Sequence, residues 1–173
     1  MNRLERIESL GYKVTWRLIV IGLFGESHFA KLLTRSEVYD YLQNQLHEIT
    51  DTTDKVIELL TWWDEEQSEQ LLNTYANTEG ADTNLQYRKW RYLLLSETLD
   101  SIKQKGVEAS FELYEFWGYF DLPVGETQVF QNADEAYQFL GFDEAECDSF
   151  IDSLNQRLTI EREYIRSIDL QSL

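Results

Sequence analysis

The side chains best suited to chemistry are few and scattered. The nitrogen and sulfur ligands are His28, His47 and the single cysteine, Cys147. None sits in the CxxC or HExxH spacing that places two ligands on one turn or helix face. Asp40 and His47, seven residues apart, can share a helix face, but two ligands do not complete a coordination shell. The acid run Asp143 to Asp148 lacks the alternation and central glycine of a calcium loop. It reads as a helix start, where negative charge complements the dipole. No metal is expected. A GxSxG motif is absent, and Cys147 falls on the expected buried face of the last helix, where a thiol is inert. Neither GxGxxG nor a GK[ST] phosphate loop occurs, so no cofactor is expected. Carboxylates are abundant enough for acid–base work in a cleft, yet no single pair is marked by spacing. No catalytic residue is assigned.

The distribution of charge carries more information. Net charge is −17. From Gly106 to Gln156 there is no Lys, Arg or His, against Glu108, Glu112, Glu115, Asp121, Glu126, Asp134, Glu135, Asp143, Glu144, Glu146, Asp148 and Asp152. A second tract, Val56 to Tyr87, holds Glu58, Asp64, Glu65, Glu66, Glu69, Glu79 and Asp82 with no cation. Such surfaces repel phosphate backbones and anionic lipids, so neither nucleic acid nor membrane is expected as a partner. They attract and steer a basic protein. The plain alternative is that the charge serves solubility.

Two aromatic segments stand out. Tyr87-Arg88-Lys89-Trp90-Arg91-Tyr92 interleaves cations with rings, as single-strand binders do. On a helix, consecutive residues diverge, so the favoured reading is that the cations pair locally and Trp90 packs. Phe111 to Phe120 is six-tenths aromatic. It reads either as a core helix ending at Gly118 or as an aromatic–acidic interface. On the interface reading, the residues that hold the partner are Glu112, Glu115 and Asp121, with Asp143, Glu144, Glu146 and Asp148. Charge steering onto these acids is followed by burial of aromatic anchors.

The elements that position these residues are helices. The chain has 173 residues and one proline, with apolar positions recurring at three- and four-residue spacing. The expectation is an all-α bundle or array of seven to nine helices in a single domain, 1–173, with a short extended segment near 127–130. Thr15 should cap a helix from Trp16 to about Phe24, apolar nearly all round and so central in the core. Thr34 to Glu37 is a capping box. Val38, Tyr41, Leu42, Gln45, Leu46 and Ile49 form the stripe that follows. Thr52 or Thr53 should open the next helix. A helix through Leu72, Tyr75 and Ala76 should stop near Gly80, and a long one should run from Asp82 or Thr83 to about Lys105. The last helix should bury Cys147, Phe150, Ile151, Leu154, Leu158, Ile165 and Ile168. The charged N-terminus lacks the apolar core of a signal peptide, and the run Leu18 to Phe24 is shorter than the roughly 20 residues of a membrane span. With one cysteine and no disulfide, a cytoplasmic location is expected.

The pattern Val14-Thr-Trp-Arg-Leu-Ile-Val-Ile-Gly-Leu, the helix start Leu33-Thr-Arg-Ser-Glu-Val and the segment Leu113-Tyr-Glu-Phe-Trp-Gly-Tyr-Phe-Asp-Leu-Pro resemble a family of small bacterial proteins known only as a domain of unknown function. Leu122 stands where that family's aromatic segment ends in Phe-Asp-Tyr-Pro. The resemblance implies no activity, cofactor or catalytic residue. A looser likeness, of composition, is to immunity proteins of bacterial toxin systems. The leading expectation is therefore a non-enzymatic acidic module that binds a basic protein, in one version an immunity protein that blocks a basic toxin. The alternatives are an enzyme with an unrecognised carboxylate site and a structural or scaffolding subunit.

Overall fold

Trp16–Phe24 (α2) is the helix around which the first ninety residues are arranged. Six consecutive residues, Leu18 to Leu23, are buried. A helix apolar on every side has no solvent face to offer and is stable only when covered all round. Each fully buried Leu or Ile there contributes about 1.5–3 kcal/mol of transfer free energy.

The computed structural model describes residues 2–25, 30–49, 54–63, 66–105 and 144–171. Among them are seven α-helices and no strand, an all-α fold. The helices are α1 (Arg3–Ser9), α2, α3 (Arg35–Gln45), α4 (Lys55–Thr61), α5 (Gln67–Glu79), α6 (Thr83–Lys105) and α7 (Glu144–Gln171), with a 3-10 turn at Leu46–Glu48. The expected helix at 108–117, the extended segment at 127–130 and the aromatic segment 111–120 lie outside the described residues. The chain divides into two units, Met1–Trp90 and Arg91–Leu173; α6 begins in the first and ends in the second.

In the first unit α2 packs chiefly on α5 and also on α3, while α3 packs on α1 and α4. Local chemistry fixes the helix starts. Asn2 and Glu5 form a capping box on α1, and Thr34 and Glu37 form one on α3. Thr15 accepts from the Leu18 amide at 3.1 Å. The start of α2 is capped a second time from a distance. The carboxylate of Glu79, the last residue of α5, accepts from the amides of Trp16 (2.8 Å) and Arg17 (3.4 Å). At its other end the carbonyl of Gly22 accepts from the amides of Leu32 and Leu33, at 2.8 and 2.9 Å. Returning backbone thus satisfies a carbonyl that the helix leaves open. Helix α5 stops at Gly80, whose φ of 68° suits a residue without Cβ.

Two expectations need correcting here. Leu46 belongs to the expected inward stripe of α3, but it is 37% exposed. The α-helix ends at Gln45, and the tighter 3-10 turn rotates the following side chains off the stripe. Helix α4 opens at Asp54, whose Oδ1 accepts from the Val56 amide at 2.7 Å; Thr52 and Thr53 lie outside the described residues.

In the second unit, Arg91 to Leu95 of α6 are all buried, as is Leu99. On α7 the inward row is Leu154, Leu158, Glu161, Ile165 and Asp169. Leu154, Leu158 and Ile165 agree with the expected stripe, and Ile151 and Ile168 are half-buried. The side chains of Cys147 and Phe150 lie outside those described. Two acids, Glu161 and Asp169, stand in this inward row, both buried and both with partners. Lys103 Nζ of α6 donates to Asn155 Oδ1 of α7 at 3.3 Å.

Candidate functional site

The basic–aromatic cluster on α6 is structural. Trp90 and Lys89 are fully buried, and Arg88 and Arg91 nearly so. Trp90 Nε1 donates to the Leu18 carbonyl at 3.0 Å, and Lys89 Nζ to the Lys13 carbonyl at 2.8 Å. Five consecutive residues, Arg88 to Tyr92, are buried, so they leave no exposed stacking platform for bases. The expected packing of Trp90 therefore holds, and one partner of Lys89 is a backbone carbonyl distant in sequence.

Of the residues expected to hold a partner, Glu112, Glu115, Asp121 and Asp143 lie outside the described residues. Glu144 and Glu146 fall on the first turn of α7, with their side chains outside those described. Asp148 is exposed on the same helix. Four-residue steps from it trace a ridge: Asp148, Asp152, Gln156, Ile160 and Tyr164, every one exposed. Ile160 is 66% and Tyr164 43% exposed. Glu163, beside Tyr164, pairs with Arg166 at 3.5 Å. Composition alone did not mark this apolar end of the ridge, because isoleucine and tyrosine at four-residue spacing read as core. In the first unit the described acids of the second tract, Glu58, Glu66, Glu69 and Asp82, are exposed, and Glu79 is half-buried at its capping position.

The first unit also carries a cleft of about 330 Å³ among α1, α2, α3 and α4. Ile19 and Leu42 supply apolar wall, Trp16 and Tyr41 aromatic surface, and Glu8 and Asp54 carboxylates. The Tyr41 hydroxyl donates to Glu8 Oε1 at 2.6 Å. Trp16 packs on Tyr75 behind the cleft, ring centroids 5.2 Å apart and tilted by 53°. The Tyr75 hydroxyl donates to Glu58, and Lys55 Nζ sits over its ring. Burial, then the hydrogen bond and charge of Glu58 and the charge of Asp54, push the Tyr75 phenol well above its ordinary range. Among the described residues no group of three or more His, Cys, Asp or Glu is placed to hold a metal ion. No helix among them is long and apolar enough to cross a membrane.

A family model described as an uncharacterized protein conserved in bacteria, DUF2247, matches residues 4–162. The chain belongs to that family. The match takes in α1 from Leu4 onward, all of α2 to α6, the cleft-lining residues, and α7 as far as Arg162. It agrees with the resemblance carried by the Val14 to Leu23 and Leu33 to Val38 patterns. No curated protein and no solved structure matches the chain.

Proposed function

We propose that the chain is an acidic protein-binding module whose α7 ridge receives a basic protein. The observation that supports this most directly is the ridge itself. Negative side chains at one end, Asp148 and Asp152, lead to a large aliphatic and an aromatic residue left in water at the other. Acids raise the rate of encounter with a cationic surface, and an exposed tyrosine with an adjacent isoleucine supplies buried contact area on docking. Glu144 and Glu146 extend the acid end in sequence, and Glu112, Glu115, Asp121 and Asp143 are proposed to contribute to the same field. A narrower version is an immunity protein that occludes a basic toxin.

The test is capture from the native cell with the full chain as bait, followed by association and dissociation rates for the recovered protein. D148N/D152N should slow association several-fold at low salt, and Y164A should speed dissociation. A captured protein without basic character, or rates that neither variant changes, would overturn the reading.

A further inference from the structure

The geometry points to the cleft of the first unit as a site for an organic cation, an alkylammonium or guanidinium head on a short apolar stem. This stands independently of the α7 ridge. Three observations converge on it. First, among the described residues the cleft lining holds two carboxylates and no Lys, Arg or His. Glu8 is exposed and Asp54 half-buried at the mouth of the concavity, and charges of one sign lining it concentrate the opposite ion.

Second, each carboxylate is fixed in place yet retains an acceptor. Glu8 uses Oε1 for the Tyr41 hydroxyl, and Asp54 uses Oδ1 to cap α4. Oε2 of Glu8 and Oδ2 of Asp54 are the acceptors left to a ligand, and charge-assisted bonds to them are the strong kind.

Third, the remaining wall suits the ligand's body. The half-buried Trp16 ring offers its surface to a cation, while Val14, Ile49 and Val56, also half-buried, offer apolar surface to a methylene chain. At about 330 Å³ the cleft is at the small end of ligand pockets. That size takes a single amino-alkyl or guanidino-alkyl chain, and the charge rejects phosphates and carboxylic acids. The same chemistry is offered by a free amine and by a Lys or Arg side chain of a polypeptide.

Isothermal titration of the full chain decides the matter, with 1,5-diaminopentane, agmatine and a doubly capped lysine amide as probes and 1-pentanol as the uncharged control. Saturable binding of at least one cation, and none of the alcohol, is expected. E8Q/D54N keeps both internal hydrogen bonds, because each amide retains its acceptor oxygen. It should weaken the bound cation by about tenfold or more while leaving the unfolding midpoint close to that of the parent chain. Preference for the free diamine or agmatine assigns the site to a small metabolite; preference for the capped lysine assigns it to a polypeptide side chain. No saturable binding of any cation below about 10 mM, or equal binding by E8Q/D54N, would overturn the inference.

Discussion

Trp90 occupies the space that a side chain at Gly22 would need: a Cβ built on Gly22 would lie 2.5 Å from Trp90 Cζ2. It would also lie 2.8 Å from Leu33 Cδ1. The glycine in the middle of the most buried helix is therefore a packing choice, since it lets an indole lie against helix backbone and bond the Leu18 carbonyl. Alanine in a helix normally gains up to about 1 kcal/mol over glycine. Here G22A should instead lose about 1–3 kcal/mol, because Trp90 and Leu33 must both move. Urea unfolding of G22A against the parent chain measures this, and a more stable variant would refute the contact.

Tyr75 should limit stability in alkali. Its phenol is held above the ordinary value of 10.0, first by burial and then by Glu58. The neutral form is the one the fold favours. That contribution is fully present below pH 10 and is lost as pH rises beyond it. A titration of phenolate absorbance should find one tyrosine that ionises only with unfolding. E58Q should let it ionise earlier, and Y75F should remove this alkaline limb at a cost near 1 kcal/mol at neutral pH.

Glu37 should do the opposite in acid. The Thr34 backbone amide donates to its carboxylate at 2.8 Å. With smaller help from the Thr34 hydroxyl and Arg3, and against partial desolvation, this holds the carboxyl below its ordinary value of 4.5. The stabilisation is present above that value and disappears as pH falls through the lowered one. T34A should cost about 1 kcal/mol at neutral pH. E37Q should show a shallower loss of thermal stability between pH 5 and pH 3 than the parent chain, by differential scanning calorimetry, as roughly expected for one capping carboxylate.

Arg35 should not be replaceable by lysine. Its Nη2 donates to the Trp63 carbonyl and to the buried Ser68 hydroxyl, and its guanidinium lies 5.0 Å from the centre of the Trp63 ring. A flat group that bonds along its edge and stacks on its face performs both tasks; an ammonium performs one at a time. R35K and R35A should each lower stability by about 1–2 kcal/mol, with little difference between them in thermal melts. Full recovery by lysine would show that charge alone acts there.

These outcomes indicate which parts of the molecule were legible in the sequence. Short-range chemistry was. The Thr34–Glu37 box, the Thr15 cap, the Gly80 stop and the end of α6 near Lys105 stand where residue type and spacing place them. The row that follows the period of α6, Leu85, Lys89, Tyr92, Leu93 and Leu99, is buried, lysine included. So are Gln86 and all of Arg88 to Leu95, and burial there is therefore not periodic. The side chain of Ile102, the last of the row, lies outside those described. The Asn2–Glu5 box was missed although it carries the same N-x-x-E signal.

What sequence did not reveal depends on contacts between elements far apart in the chain. The cleft gathers residues from Glu8 to Val56, and no local pattern pairs Glu8 with Tyr41 or Asp54 with Trp16. The burial of Glu161 and Asp169 is equally non-local: acids on an otherwise apolar helix face signal partners supplied elsewhere. The exposure of Ile160 and Tyr164 follows from which face of α7 is covered, which periodicity alone leaves open.

The Glu79 carboxylate ties the end of one helix to the beginning of another. Fraying of α5 from its C-terminus would withdraw the acceptor for the Trp16 and Arg17 amides, so the two helix ends should open as one cooperative event. Deuterium uptake at those two amides would then report the integrity of a helix more than sixty residues away in sequence. Such a pair of backbone protons offers a folded-state probe that needs neither ligand nor activity.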